Sequence, residues 1–149
     1  MENIFLDYSQ SKNNEFDKMI GKIEISGRAE VELLVNEFYD LVNQDTLISP
    51  IFNDQAQVNW QKHLPIMYDF WETLLFGKSA YKGFPFPKHA TLSLQAGHFE
   101  RWLQLFNQTI DTFFTGIIAE EAKNKALNIA TVFQVRLGLQ PATIRVAAK

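Results

Sequence analysis

The chain has no cysteine among its 149 residues. Disulfide bonds, thiolate nucleophiles and zinc or iron–sulfur sites built on sulfur are therefore excluded. The absence also agrees with a reducing compartment. Any metal that this protein binds must be held by nitrogen or oxygen.

A strong charge of one sign is missing as well. The 14 basic and 17 acidic residues give a net charge of -3, and no run of basic residues is longer than two. A nucleic-acid binder carries a basic patch that neutralises phosphates. Nucleic acid is therefore not expected as a partner.

Long apolar runs are absent too. No stretch approaches the roughly 18 consecutive apolar residues of a membrane span, and the N-terminus lacks the basic head and apolar run of a secretory signal. We therefore expect a cytoplasmic protein with no membrane partner. Its composition, 46% hydrophobic with 13 phenylalanines, supplies a core of the size that one domain needs.

Alternating strand patterns and Asn-Gly or Asp-Gly turns are absent, whereas apolar residues recur at three- and four-residue steps in each long segment. The fold class is therefore all-α, and a four-helix bundle and a globin-like crossing of helices both fit. Four helices are predicted: about 28–43, Trp60 or Lys62 to near Gly77, Gln95 to about Phe114, and Ile117 to about Leu137. We assign residues 1–25 to an N-terminal extension, 26–138 to the domain and 139–149 to a C-terminal tail.

The residues most typical of binding chemistry are concentrated in one part of the chain. All three histidines, His63, His89 and His98, and all three tryptophans lie between Trp60 and Trp102. Histidine binds metals and transfers protons near neutral pH, and tryptophan brings a large apolar ring with one N–H donor. The combination indicates an apolar pocket with chemistry in it.

Each histidine also has a simpler interpretation. His63 shares a helical face with Met67 and so points towards the core, where a neutral imidazole needs only one hydrogen bond. His89 follows a proline-rich stretch and can be an exposed loop residue. His98 lies four residues before Trp102, a spacing that aromatic packing explains.

Other common site types fit poorly. The histidines are 26 and 9 residues apart, which matches no compact zinc pattern, and Asp69 and Glu72 fall elsewhere on their helix. Hydrolase and nucleotide-binding motifs such as Gly-x-Ser-x-Gly and Gly-x-Gly-x-x-Gly are missing. Haem fits better, because it needs a flat apolar slot, one neutral imidazole on iron and a few donors on the opposite face.

A series of short motifs runs in order along the predicted helices and the segments that connect the first helix to the second and the second to the third. They are Phe38-Tyr39, Pro50-Ile51-Phe52, Trp60-x-x-His63 through Phe70-Trp71, Gly77, Tyr81-x-Gly83-x-Pro85 with Lys88-His89, and Phe99-x-x-Trp102-Leu103-x-Leu105-Phe106. Together they resemble the truncated haemoglobins, most closely the third group of these bacterial globins. The resemblance covers about Ile25 to Leu137.

This resemblance implies a truncated, two-over-two helical sandwich around haem b (iron protoporphyrin IX). His89 would be the proximal ligand of the iron, and Tyr39, His63 and Trp102 would be the distal groups around a bound gas. His98 would take no part. Residues that would line or support the haem slot are Phe52, Met67, Phe70, Trp71 and Phe86, and Lys88 or Tyr81 would approach the haem propionates.

The expected function is therefore binding of O₂, and of NO or CO, at a histidine-ligated iron. Tyr39 and Trp102 can donate to an oxygen that becomes partly negative. Three donors favour slow release and hence gas chemistry, such as nitric oxide dioxygenation or a peroxidase-like reaction, with a separate reductase. We expect a monomer or a weak dimer. The alternative is a haem-free helical interaction or sensor domain, in which the same aromatic residues form only the core.

Overall fold

Four long helices dominate the computed structural model, which describes residues 21–78, 81 and 92–139. The elements in chain order are β1 (Ile23–Glu24), α1 (Arg28–Gln44), a π-helical turn (Ile51–Gln55), α2 (Trp60–Phe76), α3 (Ala96–Phe113), β2 (Phe114–Thr115) and α4 (Ile117–Arg136). The four predicted helices are confirmed, and their ends differ from the predicted ones by at most two residues. Within the described ranges, no helix combines the length and apolar character needed to cross a membrane.

The first turn of α1 is fixed by the residues that precede it. Gly27 is the N-cap residue. Ser26, one residue before it, donates from both its backbone N–H and its hydroxyl to Oε1 of Glu30, at 3.2 and 2.9 Å. The hydroxyl of Ser26 thereby holds the pKa of Glu30 below its ordinary value. The resulting negative charge in the first turn is favourable at the positive end of the helix dipole.

Helix α2 contains Pro65, and an interior proline is expected to end or bend a helix. The helix begins at Trp60, after Asn59 as its N-cap, and runs through Pro65 to a C-cap at Gly77, whose φ of 69° is left-handed. Pro65 and Gln61 are both exposed, so water can replace the one backbone hydrogen bond that the proline removes. The proline is therefore accommodated inside the helix near its start.

Ion pairs tie the ends of α1 to its neighbours. At the start of α1, Nη1 of Arg28 donates to Asp69 and Glu72 of α2, at 2.7 and 3.0 Å. After the end of α1, the buried carboxylate of Asp45 accepts from Nε of Arg101 of α3 at 2.6 Å. These contacts hold α1 against both helices that it packs on.

Two short strands are present that the sequence pattern does not predict. Ile23 pairs with Phe114 and Glu24 with Thr115 in parallel, and the following residue, Ile25, joins the core with 2% exposure. The pair is possible because Gly116 comes next, with a φ of +100° and with Glu24 so close that an added Cβ would lie 2.8 Å from its carboxylate. The chain before α1 is thereby attached to the junction of α3 and α4.

The apolar core has two parts. The larger part joins the buried faces of α1, α2 and α3 with Ala119, Ala122 and Ala126 of α4. The smaller part consists of Phe99, Ala130 and Phe133, between α3 and α4. Trp102 packs against both parts.

Candidate ligand-binding cavity

A cavity of about 420 Å³ lies beside Trp102, the residue that contacts both parts of the core. Its volume falls within the range of ligand sites. All four long helices contribute to its walls, and no Asp, Glu, Lys or Arg occurs among the described residues that line it. These residues are Tyr39, Ile48, Ile51, Phe52, Gln55, Ala56, Val58, His63, Met67, Phe70, Trp71, Leu92, Leu94, His98, Phe99, Trp102, Ile129, Ala130 and Phe133.

Tyr39 reaches the cavity from α1 and is held by an aromatic cluster. Its ring centroid lies 5.7 Å from that of Phe52, 5.2 Å from that of Trp60 and 5.4 Å from that of His63. The residue is 6% exposed, and burial raises the pKa of its hydroxyl well above the ordinary value, because a phenolate would lose its hydration. Tyr39 is therefore a protonated hydrogen-bond donor at neutral pH.

His63 stands next to Tyr39 on the cavity wall that α2 provides. Its ring meets those of Tyr39 and Trp60 edge to face, at interplanar angles of 76° and 80°. Trp60 is itself held in place, since its Nε1–H donates to Oδ1 of Asn53 at 2.9 Å. Trp60 does not line the cavity, and its part is to support Tyr39 and His63.

Trp102 enters the cavity from α3 and is fixed by stacking. Its ring lies almost parallel to that of the fully buried Phe106, with centroids 5.7 Å apart, and Phe106 is stacked in turn on Trp71 at 4.8 Å. Phe38 packs edge-on against Trp102 at 5.6 Å. Such aromatic contacts restrict the indole to one orientation.

The structure therefore brings together most of the site residues named from the sequence. The predicted distal residues Tyr39, His63 and Trp102 line one cavity, and so do four predicted slot residues, Phe52, Met67, Phe70 and Trp71. Three others, Phe86, Lys88 and the predicted iron ligand His89, lie outside the described residues.

Tyr81 supports the cavity without lining it. Its ring packs perpendicular to that of Phe70 at 5.1 Å, and its backbone N–H donates to Oγ1 of Thr73 at 2.9 Å. Burial raises the pKa of its hydroxyl. The contact attaches the chain just after α2 to a residue of the cavity wall.

His98 lines the same cavity, although the resemblance gave it no part. Its Nδ1 accepts a hydrogen bond from the backbone N–H of Gln95 at 3.0 Å, at the start of α3. A backbone amide can only donate, so the Nδ1 lone pair is used there and the ring proton of the neutral imidazole is on Nε2. Binding a metal through Nε2 needs the opposite tautomer, and His98 is therefore not suited to be an iron ligand.

The wall formed by α4 was missed by sequence reasoning. Ile129, Ala130 and Phe133 line the cavity together with Phe99 of α3. Their three- and four-residue spacing correctly predicts a helix with one apolar face. The same spacing serves a face that packs on a core and one that faces a ligand, so the sequence pattern does not distinguish the two.

In the part of the chain that the structure describes, no cluster of protein ligands competes with a haem. Within residues 21–78, 81 and 92–139, no group of three or more His, Asp or Glu side chains is placed to hold a metal ion. A haem iron asks the protein for a single imidazole. The apolar lining and the neutral donors of Tyr39, Trp102 and His98 suit a flat apolar ring with a small polar ligand, and the cavity therefore fits a haem.

Fold and cavity together define a helical ligand-binding protein of the globin type. The bacterial-like globin family matches residues 23–135, and the chain belongs to this family. Membership implies that the protein binds haem and, on it, a small gaseous ligand. Membership also distinguishes between the two helix arrangements that fit the sequence, a four-helix bundle and a globin-like crossing of helices, in favour of the globin-like one.

Individual relatives agree with the predicted resemblance to the third group of truncated haemoglobins. The group 3 truncated hemoglobin ctb of Campylobacter jejuni is 31% identical over 121 residues, which are 76% of this chain and 92% of that protein. The crystal structure of a group III truncated hemoglobin from Campylobacter jejuni matches with a TM-score of 0.71 and 29% identity, over 78% of this chain and 94% of that one. The group 1 truncated hemoglobin GlbN of Nostoc commune is 32% identical over 51% of this chain and 63% of its own length.

Proposed function

We propose that this globin holds haem b in the cavity through His89 and binds O₂, NO or CO on the side of Tyr39, His63 and Trp102. The observation that carries the proposal is the meeting of these three side chains on one apolar cavity, in a chain that belongs to the globin family. When bound, ferrous haem supplies the iron that takes up the gas.

His89 is the iron ligand that the resemblance to the truncated haemoglobins implies, and the positions of the other two histidines support this choice. His98 uses its Nδ1 lone pair at the start of α3, and His63 stands beside Tyr39 on the wall assigned to the gas. A haem needs one neutral imidazole on the face opposite the gas. His89 is the histidine that remains for that face.

Around the gas, the chain supplies hydrogen-bond donors and keeps water out. Tyr39 offers a protonated hydroxyl because burial raises its pKa, and Trp102 offers an indole N–H that stacking holds in one orientation. His63 adds a donor or acts as a gate. Since the rest of the wall is apolar apart from Gln55 and His98, these donors act in a medium of low dielectric, where each hydrogen bond is stronger than in water.

Several donors favour retention of O₂ over rapid exchange. Retention suits gas chemistry, such as the detoxification of nitric oxide or a peroxidase-like reaction, more than transport. A separate reductase would restore ferrous iron. Rapid formation of nitrate when the oxygenated protein is mixed with nitric oxide is the expected result, and slow nitrate formation would leave gas binding alone as the function.

The ligand assignment is tested by titrating apo-protein with haem and comparing His89→Ala with His98→Ala. His89→Ala is expected to lose most of its haem, because the iron loses its bond to the protein. His98→Ala is expected to take up haem to the same stoichiometry as the unchanged protein at micromolar concentration. Loss of haem in the His98 variant with retention in the His89 variant would overturn the assignment.

A further inference from the structure

His98 is a polar residue of the cavity wall that the proposed function does not use. It belongs to the first turn of α3, and Trp102 lies one turn further along the same helix face. The side chain is half-buried, whereas the neighbouring Gln95 and Gly97 are exposed. His98 therefore lies where the cavity approaches solvent, on the side of Trp102 that faces the start of the helix.

The hydrogen bond to the backbone determines what His98 can offer to a ligand. Because Nδ1 accepts from the N–H of Gln95, the neutral ring carries its proton on Nε2 and is a donor there. No described residue accepts a hydrogen bond from this Nε2. Turning the ring to present its other nitrogen would break this hydrogen bond.

A haem has hydrogen-bond acceptors in two places, the bound gas and the two propionate carboxylates at its edge. Carboxylates need contact with water and with donors, since burial of an unpaired charge is costly. The half-buried position of His98 matches the edge, whereas Tyr39 is almost fully buried in the aromatic cluster. His98 also lies at the start of an 18-residue helix, where the positive end of the helix dipole stabilises a nearby negative charge.

We propose that the Nε2–H of His98 donates to a propionate carboxylate of the bound haem, so that His98 positions the haem in the cavity. This inference rests on the proposed function, because it requires haem in this cavity. It assigns to His98 a role in retaining the haem, and none in binding the gas or the iron.

The test separates this contact from the role of His98 in capping α3. The variant His98→Glu keeps a side chain that can accept from the N–H of Gln95, as glutamate commonly does at this helix position, and places a negative charge where the donor was. Gln95→Ala is the matched control, because it alters an exposed side chain of the same turn that does not line the cavity. Each protein is loaded either with haem or with haem dimethyl ester, which has no carboxylates.

Transfer to an excess of a scavenging apo-globin then gives the rate of haem release. We expect His98→Glu to release haem at least about tenfold faster than the unchanged protein, since a charge-assisted hydrogen bond is replaced by repulsion. The dimethyl ester should leave both proteins at similar rates, and Gln95→Ala should match the unchanged protein with both ligands.

Three results would overturn the inference. One is an equal acceleration for haem and for its dimethyl ester, which would mean that the capping role alone matters. The second is an unchanged rate of haem release combined with faster release of O₂ or CO, which would place the donor at the gas. The third is failure of the unchanged apo-protein to take up either porphyrin, and this result alone would also overturn the proposed function.

Discussion

The surroundings of Tyr39 determine the chemistry of its hydroxyl. A tyrosine hydroxyl is a modest donor in water, but this one is 6% exposed and surrounded by the rings of Phe52, Trp60 and His63. Burial removes competing water and keeps the phenol protonated. The arrangement prepares the donor before any ligand arrives.

Replacement of Tyr39 by Phe is therefore expected to accelerate O₂ release. A hydrogen bond to a charged acceptor contributes about 1.5–3 kcal/mol, which corresponds to a roughly 10- to 100-fold faster rate. Stopped-flow measurement of O₂ dissociation checks this expectation. Tyr68→Phe is the matched control, because the hydroxyl of Tyr68 donates to Asn36, outside the cavity, and its loss should leave the rate unchanged.

An unchanged rate of O₂ dissociation in Tyr39→Phe would show that the Tyr39 hydroxyl does not stabilise the bound gas. Equal acceleration in Tyr39→Phe and Tyr68→Phe would point to a general loosening of the fold.

At the scale of elements, the end of α1 and the start of α3 are joined by one carboxylate. Asp45 accepts from Nε of Arg101 and from the backbone N–H groups of Leu47 and Ile48. Burial alone would raise the pKa of Asp45, but these hydrogen bonds outweigh it and the pKa is lowered. Arg101 precedes Trp102, so this contact also fixes the helix that carries a wall of the cavity.

Replacement of Asp45 by Ala should lower the free energy of unfolding by about 2 kcal/mol at pH 7, the usual range for the loss of a buried charged acceptor. Because folding lowers this pKa, the stabilisation is complete above the ordinary value of 3.8 and decreases as the pH falls through the lower folded value. Urea unfolding of both proteins between pH 7 and pH 3 measures the difference.

Asp40→Ala serves as the control for this prediction, since Asp40 is exposed on the same helix. Its change should stay within about 0.5 kcal/mol, as for surface substitutions in general. A difference between Asp45→Ala and the unchanged protein that does not diminish in acid would show that ionisation of Asp45 contributes nothing.

The elements could be predicted from sequence to different extents. Periodicity located the long helices because each buries one continuous face, as Val31, Leu34, Val35 and Phe38 do in α1. The pairing of β1 with β2 could not be predicted, since two residues are too few for a pattern and the partner lies about ninety positions away. It depends on the close approach that Gly116 permits.

The candidate site was predictable in part for the same reason. Tyr39, His63 and Trp102 stand out as donors on apolar helix faces, whereas Ile129 and Phe133 of α4 look like ordinary core residues. The spacing of His98 from Trp102 predicts a packing residue, because aromatic contacts explain it. Its contact with the Gln95 backbone depends on where α3 begins, and helix ends are the least certain part of a sequence-based prediction.

At the scale of the whole molecule, the cavity occupies the place where the two parts of the core meet. The larger part belongs mainly to α1, α2 and α3, and the smaller part belongs to α3 and α4. The side chains that line an apolar space of about 420 Å³ lack many van der Waals contacts when nothing fills it. A haem would restore these contacts, and its binding would stabilise the native state by mass action.

Absorption spectra of the haem-loaded protein in its ferric, ferrous and carbonyl forms test whether this cavity holds a haem on one protein histidine. We expect saturation at one haem per chain, an intense Soret band, and a ferrous carbonyl spectrum typical of histidine on the opposite face of the iron. Absence of haem uptake by the folded apo-protein, or a carbonyl spectrum without histidine ligation, would contradict it.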